Sequence, residues 1–351
     1  MLADALVGTV RHHLAGPRPS FSAASVLVLV GGEVVAEVVQ GVEAAYADAA
    51  GTPQAGAAAV TPDTRFDLAS ITKLFTAAVL LEVLADRGLD PDSSVTDALP
   101  GYPRGVRFVH LLTHTAGMPP VWSGWREAPD PQEARRRVLD LAPVAPPGGA
   151  SVYSCVGYLH AGFAAEALAG RPLDALVAQR ITGPLGMTVT GFRPAPGTPV
   201  AATEWQEHPA PGMTHGAVHD ETARALGGVA GNAGIFATAR DLARYGEALR
   251  TGAPGVLRES TRGWMTSPLV PGDGYGQAAG PRLADRTNFG RLAEGSFGHT
   301  GFTGTMLLVN PDRDLTLVVL TNRVHPSRKW SDPSMFRREV AAVVAGNGPW
   351  T

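Results

Sequence analysis

The sequence predicts an α+β fold: an antiparallel β-sheet flanked by helices, with a mainly α-helical domain inserted into it. Three observations carry that expectation. β-Branched runs separated by short turn signals stand near both ends of the chain, over 24–39 and 305–320. Helical patterns broken by Pro- and Gly-rich joints fill 90–224, where no clear strand pattern appears. Between the two regions runs a segment so apolar on every side, from Ile71 to Leu84, that it belongs in the interior. The expected division is a sheet domain from 1–89 and 225–351 and a helical domain from 90–224, with a cleft between them.

In chain order, Leu2, Leu6, Val10 and Leu14 recur every four residues and predict an amphipathic first helix. Ala24–Val30 and Glu33–Val39 flank Gly31-Gly32 and read as a hairpin. Residues 42–60 are rich in Ala, Gly and small polar residues, a surface excursion. The apolar helix follows and is ended by Gly88 and Pro91. Helical patterns then appear at Val106–Thr113, Gln132–Leu141 and Val156–Leu168. Thr238 with Asp241 three residues on resembles a capping box opening another helix. Thr305–Asn310 and Leu315–Leu320 form a second hairpin around Pro311-Asp-Arg-Asp314, and a helix over 334–345 closes the chain.

Composition narrows the function class. A length of 351 residues sets a prior of about two domains, and an apolar fraction of 44% supplies a large core. A net charge of −3 provides no basic field for nucleic acid. With one cysteine, Cys155, there is no internal disulfide. The first residues show neither a basic leader nor a long apolar region, and nothing approaches the roughly 18 apolar residues of a spanning helix. The expectation is a cytoplasmic protein with no membrane and no nucleic-acid partner.

Chemistry is concentrated in three places. Ser70 precedes Lys73 by three residues at the head of the apolar helix, and residues so spaced lie on one helix face, about 5–6 Å apart at Cβ. Burial disfavours a charged ammonium, so Lys73 is expected to be neutral or proton-sharing beside a serine that it makes nucleophilic. The chain has only two lysines, Lys73 and Lys329, among its 29 basic residues, yet a chance Ser-x-x-Lys still arises in roughly one such chain in ten, and alone it is a weak motif. The second place is Tyr153-Ser-Cys155, after the turn cluster Pro146-Pro-Gly-Gly149, where a phenol near a cation can serve as general base. The third is Gly298-His-Thr-Gly301, where glycines in a strand pattern mark the close approach of a ligand or another backbone. There His299 is placed to hydrogen-bond the tyrosine or a substrate carboxylate. Other motifs fall away. His110 and His114 have zinc-pair spacing but lack the Glu of H-E-x-x-H. The Gly227–Gly234 run has no G-K-[ST] and reads as a tight turn. No G-x-S-x-G elbow is present. No metal and no organic cofactor are implied.

Taken together, these three motifs resemble those of the serine β-lactamase and penicillin-binding-protein superfamily on its class C side. The resemblance extends through Phe66–Lys73, Leu111–Pro119, Gly228–Leu242, Gly298–Gly304 and Leu320–Pro326, whereas the Ser-Asp-Asn and Glu-x-x-x-Asn hallmarks of class A are absent. It implies that Ser70 is acylated, that Lys73 and Tyr153 share the proton work, and that the backbone N–H groups of Ser70 and Phe302 form the oxyanion hole. Cys155, His299, Thr300 and Gly301 would line the substrate. One departure stands out: Cys155 occupies the position of an asparagine that contacts the lysine and the substrate's acylamido carbonyl, and a thiol is a poor substitute for an amide. With His299 in the third motif, the site is closer to the family's esterases, amidases and transacylases than to its β-lactamases. The expected function is a serine acyl-enzyme hydrolase acting on small esters or peptidoglycan-type amides. The alternatives are a transacylase passing the acyl group to an amine or alcohol, and a catalytically silent binding protein on the same fold.

Overall fold

The computed structural model describes residues 1–272, 274–332 and 334–348. Its main sheet has eight strands: β1 (Ala23–Val30), β2 (Glu33–Gly41), β3 (Val270–Pro271), β4 (Gly276–Gln277), β5 (Arg282–Leu283), β6 (Phe297–Thr300), β7 (Met306–Asn310) and β8 (Leu315–Thr321). All neighbours pair antiparallel, in the order β2-β1-β8-β7-β6-β5-β4-β3. The two predicted hairpins therefore meet in the sheet's middle, where Ala24 pairs with Thr321 and Val30 with Leu315.

Successive strand residues face opposite sides. Val26 and Val28 pack with Met306, Leu308, Leu317 and Val319 beneath α1 (Leu2–Leu14) and the C-terminal helix. Leu27, Leu29, Leu307, Val309, Val318 and Leu320 point the other way into the larger core. Because helices cover both faces, these strands read as unbroken apolar runs rather than alternating ones.

The apolar helix, α2 (Thr72–Asp86), is buried at every position from Thr72 to Leu84. It lies between α3 (Cys155–Ala169) and α4 (Ala239–Thr251). Phe75 stacks on Tyr245 of α4 at 4.2 Å, and the Tyr245 hydroxyl donates to the Leu74 carbonyl at 2.9 Å. Against α3, the loop 228–234 comes closest at Gly231, where a Cβ would stand 2.0 Å from the Tyr158 carbonyl. That close approach requires a glycine at 231. The chain closes with α5 (Met335–Asn347). Among the described residues no helix is long and apolar enough to cross a membrane.

Several local expectations change. The helix expected over Val106–Thr113 is confined to Phe108–Leu112, because the backbone turns left-handed at His114, φ 60°. The 90–224 segment does hold strands, of two residues each: Gly191–Phe192 pairs with Ile235–Ala237, and Trp205–Gln206 with Gly212–Met213. Two residues are too few to show a period. Thr238 caps α4 by accepting from the Asp241 N–H, yet the Asp241 carboxylate turns to Val189 N–H and the Thr190 hydroxyl instead of returning to the cap.

Candidate active site

The nucleophile turn is built by side chains that hold its backbone. Ser70 lies in a 3-10 turn, Ala69–Ile71, that runs directly into α2. Ala69, just before it, has φ 46°, an unfavourable left-handed conformation for a residue with a Cβ. The buried Asp67 carboxylate supports that bend, accepting from Ala69 N–H at 2.8 Å and from His219 N–H at 2.7 Å. Burial pushes the Asp67 carboxyl upward against the pull of those two amides.

Ser70 Oγ stands between two proton-handling groups. Lys73 Nζ donates to it at 2.9 Å and the Tyr153 hydroxyl at 2.8 Å. The lysine, with no exposed surface, also donates to Asn232 O at 3.1 Å and approaches Cys155 Sγ at 3.5 Å. Its three N–H vectors thus all have acceptors, the arrangement of an ammonium. Burial works to lower Lys73, but the acidic Cys155 and Tyr153 beside it outweigh burial, and the net direction is upward. The lowered lysine expected from burial alone is corrected by these neighbours. The cation lies 5.0 Å from the Tyr153 ring centroid.

The third motif docks onto the same turn. Thr303 Oγ1 donates to Asp67 O at 2.7 Å and Thr305 Oγ1 to Leu68 O at 3.0 Å. The approach leaves no space at Gly301, where a Cβ would lie 2.3 Å from Leu68 O; the close neighbour that the glycine signalled is another backbone. The loop's own hydrogen bonds use Gly301 N–H and Gly304 N–H, not that of Phe302. His299 is buried, and its Nδ1–H donates to the Thr300 carbonyl at 2.7 Å. Burial, reinforced by Arg282 and Lys73, holds it well below the usual imidazole range and therefore neutral. It lies 6.1 Å from Tyr153 between ring centroids, with no hydrogen bond to it. Thr300, half-buried, ends β6 beside it.

Sequence reading missed three contributors. Arg282, on β5, pairs across the sheet with Gly298 and sets its guanidinium 5.4 Å from the Tyr153 ring centroid. This places a cation beside the neutral His299, one that is also paired with the buried Asp285 carboxylate at 3.2 Å. His114 brackets Tyr153: its carbonyl accepts from Val152 N–H at 2.9 Å, its Nδ1 from Ser154 N–H at 3.1 Å, and its ring lies 4.6 Å from the phenol. Burial, with Lys73 and Arg282 nearby, lowers it to about 3, so the acceptor Nδ1 persists. Past the end of its helix, it shares no face with His110, which bonds Arg107 instead. Asn232 contributes its carbonyl to Lys73 from the glycine-rich loop. For Arg282 no motif spacing existed to read; for His114 and Asn232 the only signals were the Leu111–Pro119 and Gly228–Leu242 blocks.

Comparison with known proteins identifies the family and the fold. A family model described as Beta-lactamase matches residues 8–342. A "Putative D-alanyl-D-alanine carboxypeptidase" of Escherichia coli strain K12 is 30% identical over 330 residues, covering 79% of this chain and 73% of that protein. Among solved structures, "EstCE1, a hydrolase with promiscuous acyltransferase activity" superposes with a TM-score of 0.75 at 21% identity, covering 98% of both chains. The octameric penicillin-binding protein homologue from Pyrococcus abyssi gives 0.74 at 23% identity, covering 98% of this chain and 77% of that one.

Proposed function

The chain belongs to the Beta-lactamase family and is a serine hydrolase of its penicillin-binding-protein-like kind; on that premise we propose that it cleaves small esters or peptidoglycan-type amides through an acyl group carried on Ser70. The observation that carries the reading is Ser70 Oγ held at 2.9 Å from Lys73 Nζ and 2.8 Å from Tyr153 Oη. As Ser70 attacks the carbonyl, its proton is taken up by the Lys73–Tyr153 pair that hydrogen-bonds it, one of the two acting in its deprotonated form, and the charge developing on the carbonyl oxygen is met by the N–H groups of Ser70 and Phe302. The same pair returns the proton to the leaving amine or alcohol. Water, activated by the same pair, then releases the acid and frees Ser70.

Arg282 points to donors with a carboxylate beyond the scissile bond, as at a peptide C-terminus. The D-alanyl-D-alanine relative favours the same class. The second reading, transfer of the acyl group to an amine or alcohol, draws support from the acyltransferase activity named for the similar structure.

The test is a substrate profile across acyl esters, D-alanyl-D-alanine peptides and cephalosporins, each with and without added amine, with intact mass of the protein. The expected result is an adduct on Ser70 and free acid as product, with Arg282→Gln raising KM for carboxylate-bearing donors only. Amide or ester products with added acceptors would instead establish transfer. A protein left unmodified by every donor and by a fluorophosphonate would be a silent member of the fold.

A further inference from the structure

Arg337 stands in the first turn of α5 and is 3% exposed. A guanidinium carried that far from water is costly unless a carboxylate pairs with it. Among the described residues its hydrogen bonds go to two neutral acceptors, Asn288 Oδ1 at 3.3 Å and the Gly301 carbonyl, and Nε has no partner there. Burial, with Arg323 and Arg282 close by, draws its pKa down to about 9 against the opposing pull of the Asp285 and Asp332 carboxylates, neither of which is bonded to it. An apolar side chain would fill this space without that penalty, so packing does not account for the charge.

What the charge holds is the informative part. The Gly301 carbonyl belongs to the same peptide group as the Phe302 N–H, and the peptide is trans. In a trans peptide the C=O and N–H point in opposite directions. Pulling the carbonyl toward α5 therefore aims the Phe302 N–H away from α5. The next carbonyl, of Phe302, is held by Arg323 Nε at 2.9 Å. The other side of the loop is fastened to the nucleophile turn through Thr303 and Thr305.

We propose that Arg337 is a positioning residue for the oxyanion hole, its guanidinium locking and polarising the Gly301–Phe302 peptide so that the Phe302 N–H meets the oxyanion formed at Ser70. A cation bonded to the carbonyl end of an amide makes its N–H a stronger donor, since chained hydrogen bonds polarise one another. That gain is realised as negative charge develops on the substrate oxygen, so it lowers the barrier more than it tightens binding. The inference rests on the serine-hydrolase reading above.

The experiment compares the full-length parent with Arg337→Met and Arg337→Gln on an activated nitrophenyl ester. It measures the acylation rate, KM, affinity for a boronic acid that mimics the oxyanion, and melting temperature. Arg337→Met is expected to melt at or above the parent temperature, because an unpaired buried charge is removed. It should acylate about 10–10²-fold more slowly, with KM within about threefold and boronate affinity falling in parallel. Arg337→Gln, which keeps a donor but no charge, decides the same question if methionine prevents folding: slower acylation at unchanged KM supports the role. A folded variant of either kind with the parental acylation rate overturns it, as does a loss confined to KM. Fluorophosphonate labelling of Ser70 in the parent separates the two levels. Without labelling, the hydrolase reading fails and takes this inference with it; with labelling and undiminished variants, only the role of Arg337 fails.

Discussion

Adding one methyl group at Gly301 tests whether the third motif and the nucleophile turn form a single rigid unit. The Cβ of Gly301→Ala would lie 2.1 Å from Thr305 Oγ1 and 2.3 Å from Leu68 O, against 3.4 Å or more for an ordinary contact. Thr305 can rotate away, at the loss of its hydrogen bond to Leu68 O. The Leu68 carbonyl cannot yield so easily, because the N–H of its own peptide group, that of Ala69, is bonded to Asp67 Oδ1 at 2.8 Å and the carbonyl also accepts from Ile71 N–H at 3.2 Å. The loop must therefore retreat by about 1 Å, and a misplacement of that size at a reacting centre can cost about 10²-fold. The residue displaced with it is Phe302, and losing one oxyanion donor costs about 10²–10³ in rate. Overpacking itself is worth about 1–3 kcal/mol of stability. The assay is kcat and KM on an activated ester, with thermal melting on the same samples. A Gly301→Ala protein that stays folded and keeps kcat within threefold would refute the rigid-unit argument and the assignment of the Phe302 amide together.

Lys73→Ala should slow acylation of Ser70 about 10²–10⁴-fold, followed by the time course of a fluorophosphonate adduct; a loss under tenfold would remove the lysine from the proton work. Cys155→Asn places an amide where the thiol meets Lys73 at 3.5 Å, and faster acylation by amide-bearing β-lactams is expected by intact mass. No change would mean that the walls of the cleft, not the thiol, set specificity. His160, buried with Nδ1 2.5 Å from the Tyr102 hydroxyl and Nε2–H donating to Val138 O, is lowered by burial from 6.5 to about 4. Its contribution to stability is complete above pH 6.5 and is lost as pH falls toward 4, because the unfolded chain binds a proton that the native one refuses. At about 1.4 kcal/mol per pKa unit this amounts to about 3 kcal/mol. A urea midpoint unchanged between pH 7 and pH 4.5 would contradict it.

Periodicity and spacing were enough for whatever depends on residues near one another in the chain. The two hairpins are legible because each pairs β-branched runs across a short turn, and α2 because its apolar residues leave no polar face. Ser70 and Lys73 meet because three residues along a helix bring side chains together, and the blocks from Phe66 to Pro326 carry the family. What tertiary structure decided comes from strand register and packing between distant segments. Arg282 reaches Tyr153 because β5 pairs with β6, and Arg337 reaches Gly301 because α5 folds back over the sheet's end. The state of Lys73 turned the same way. Burial could be foreseen from the helix, but its effect is outweighed by Tyr153 and Cys155, 80 and 82 residues away in the sequence, whose acidity acts only once the fold sets them beside the ammonium. Short-range geometry thus determined where the nucleophile stands. Long-range contacts, whose electrostatic strength depends on distance through a water-poor interior, determined which titratable groups and which cations stand around it.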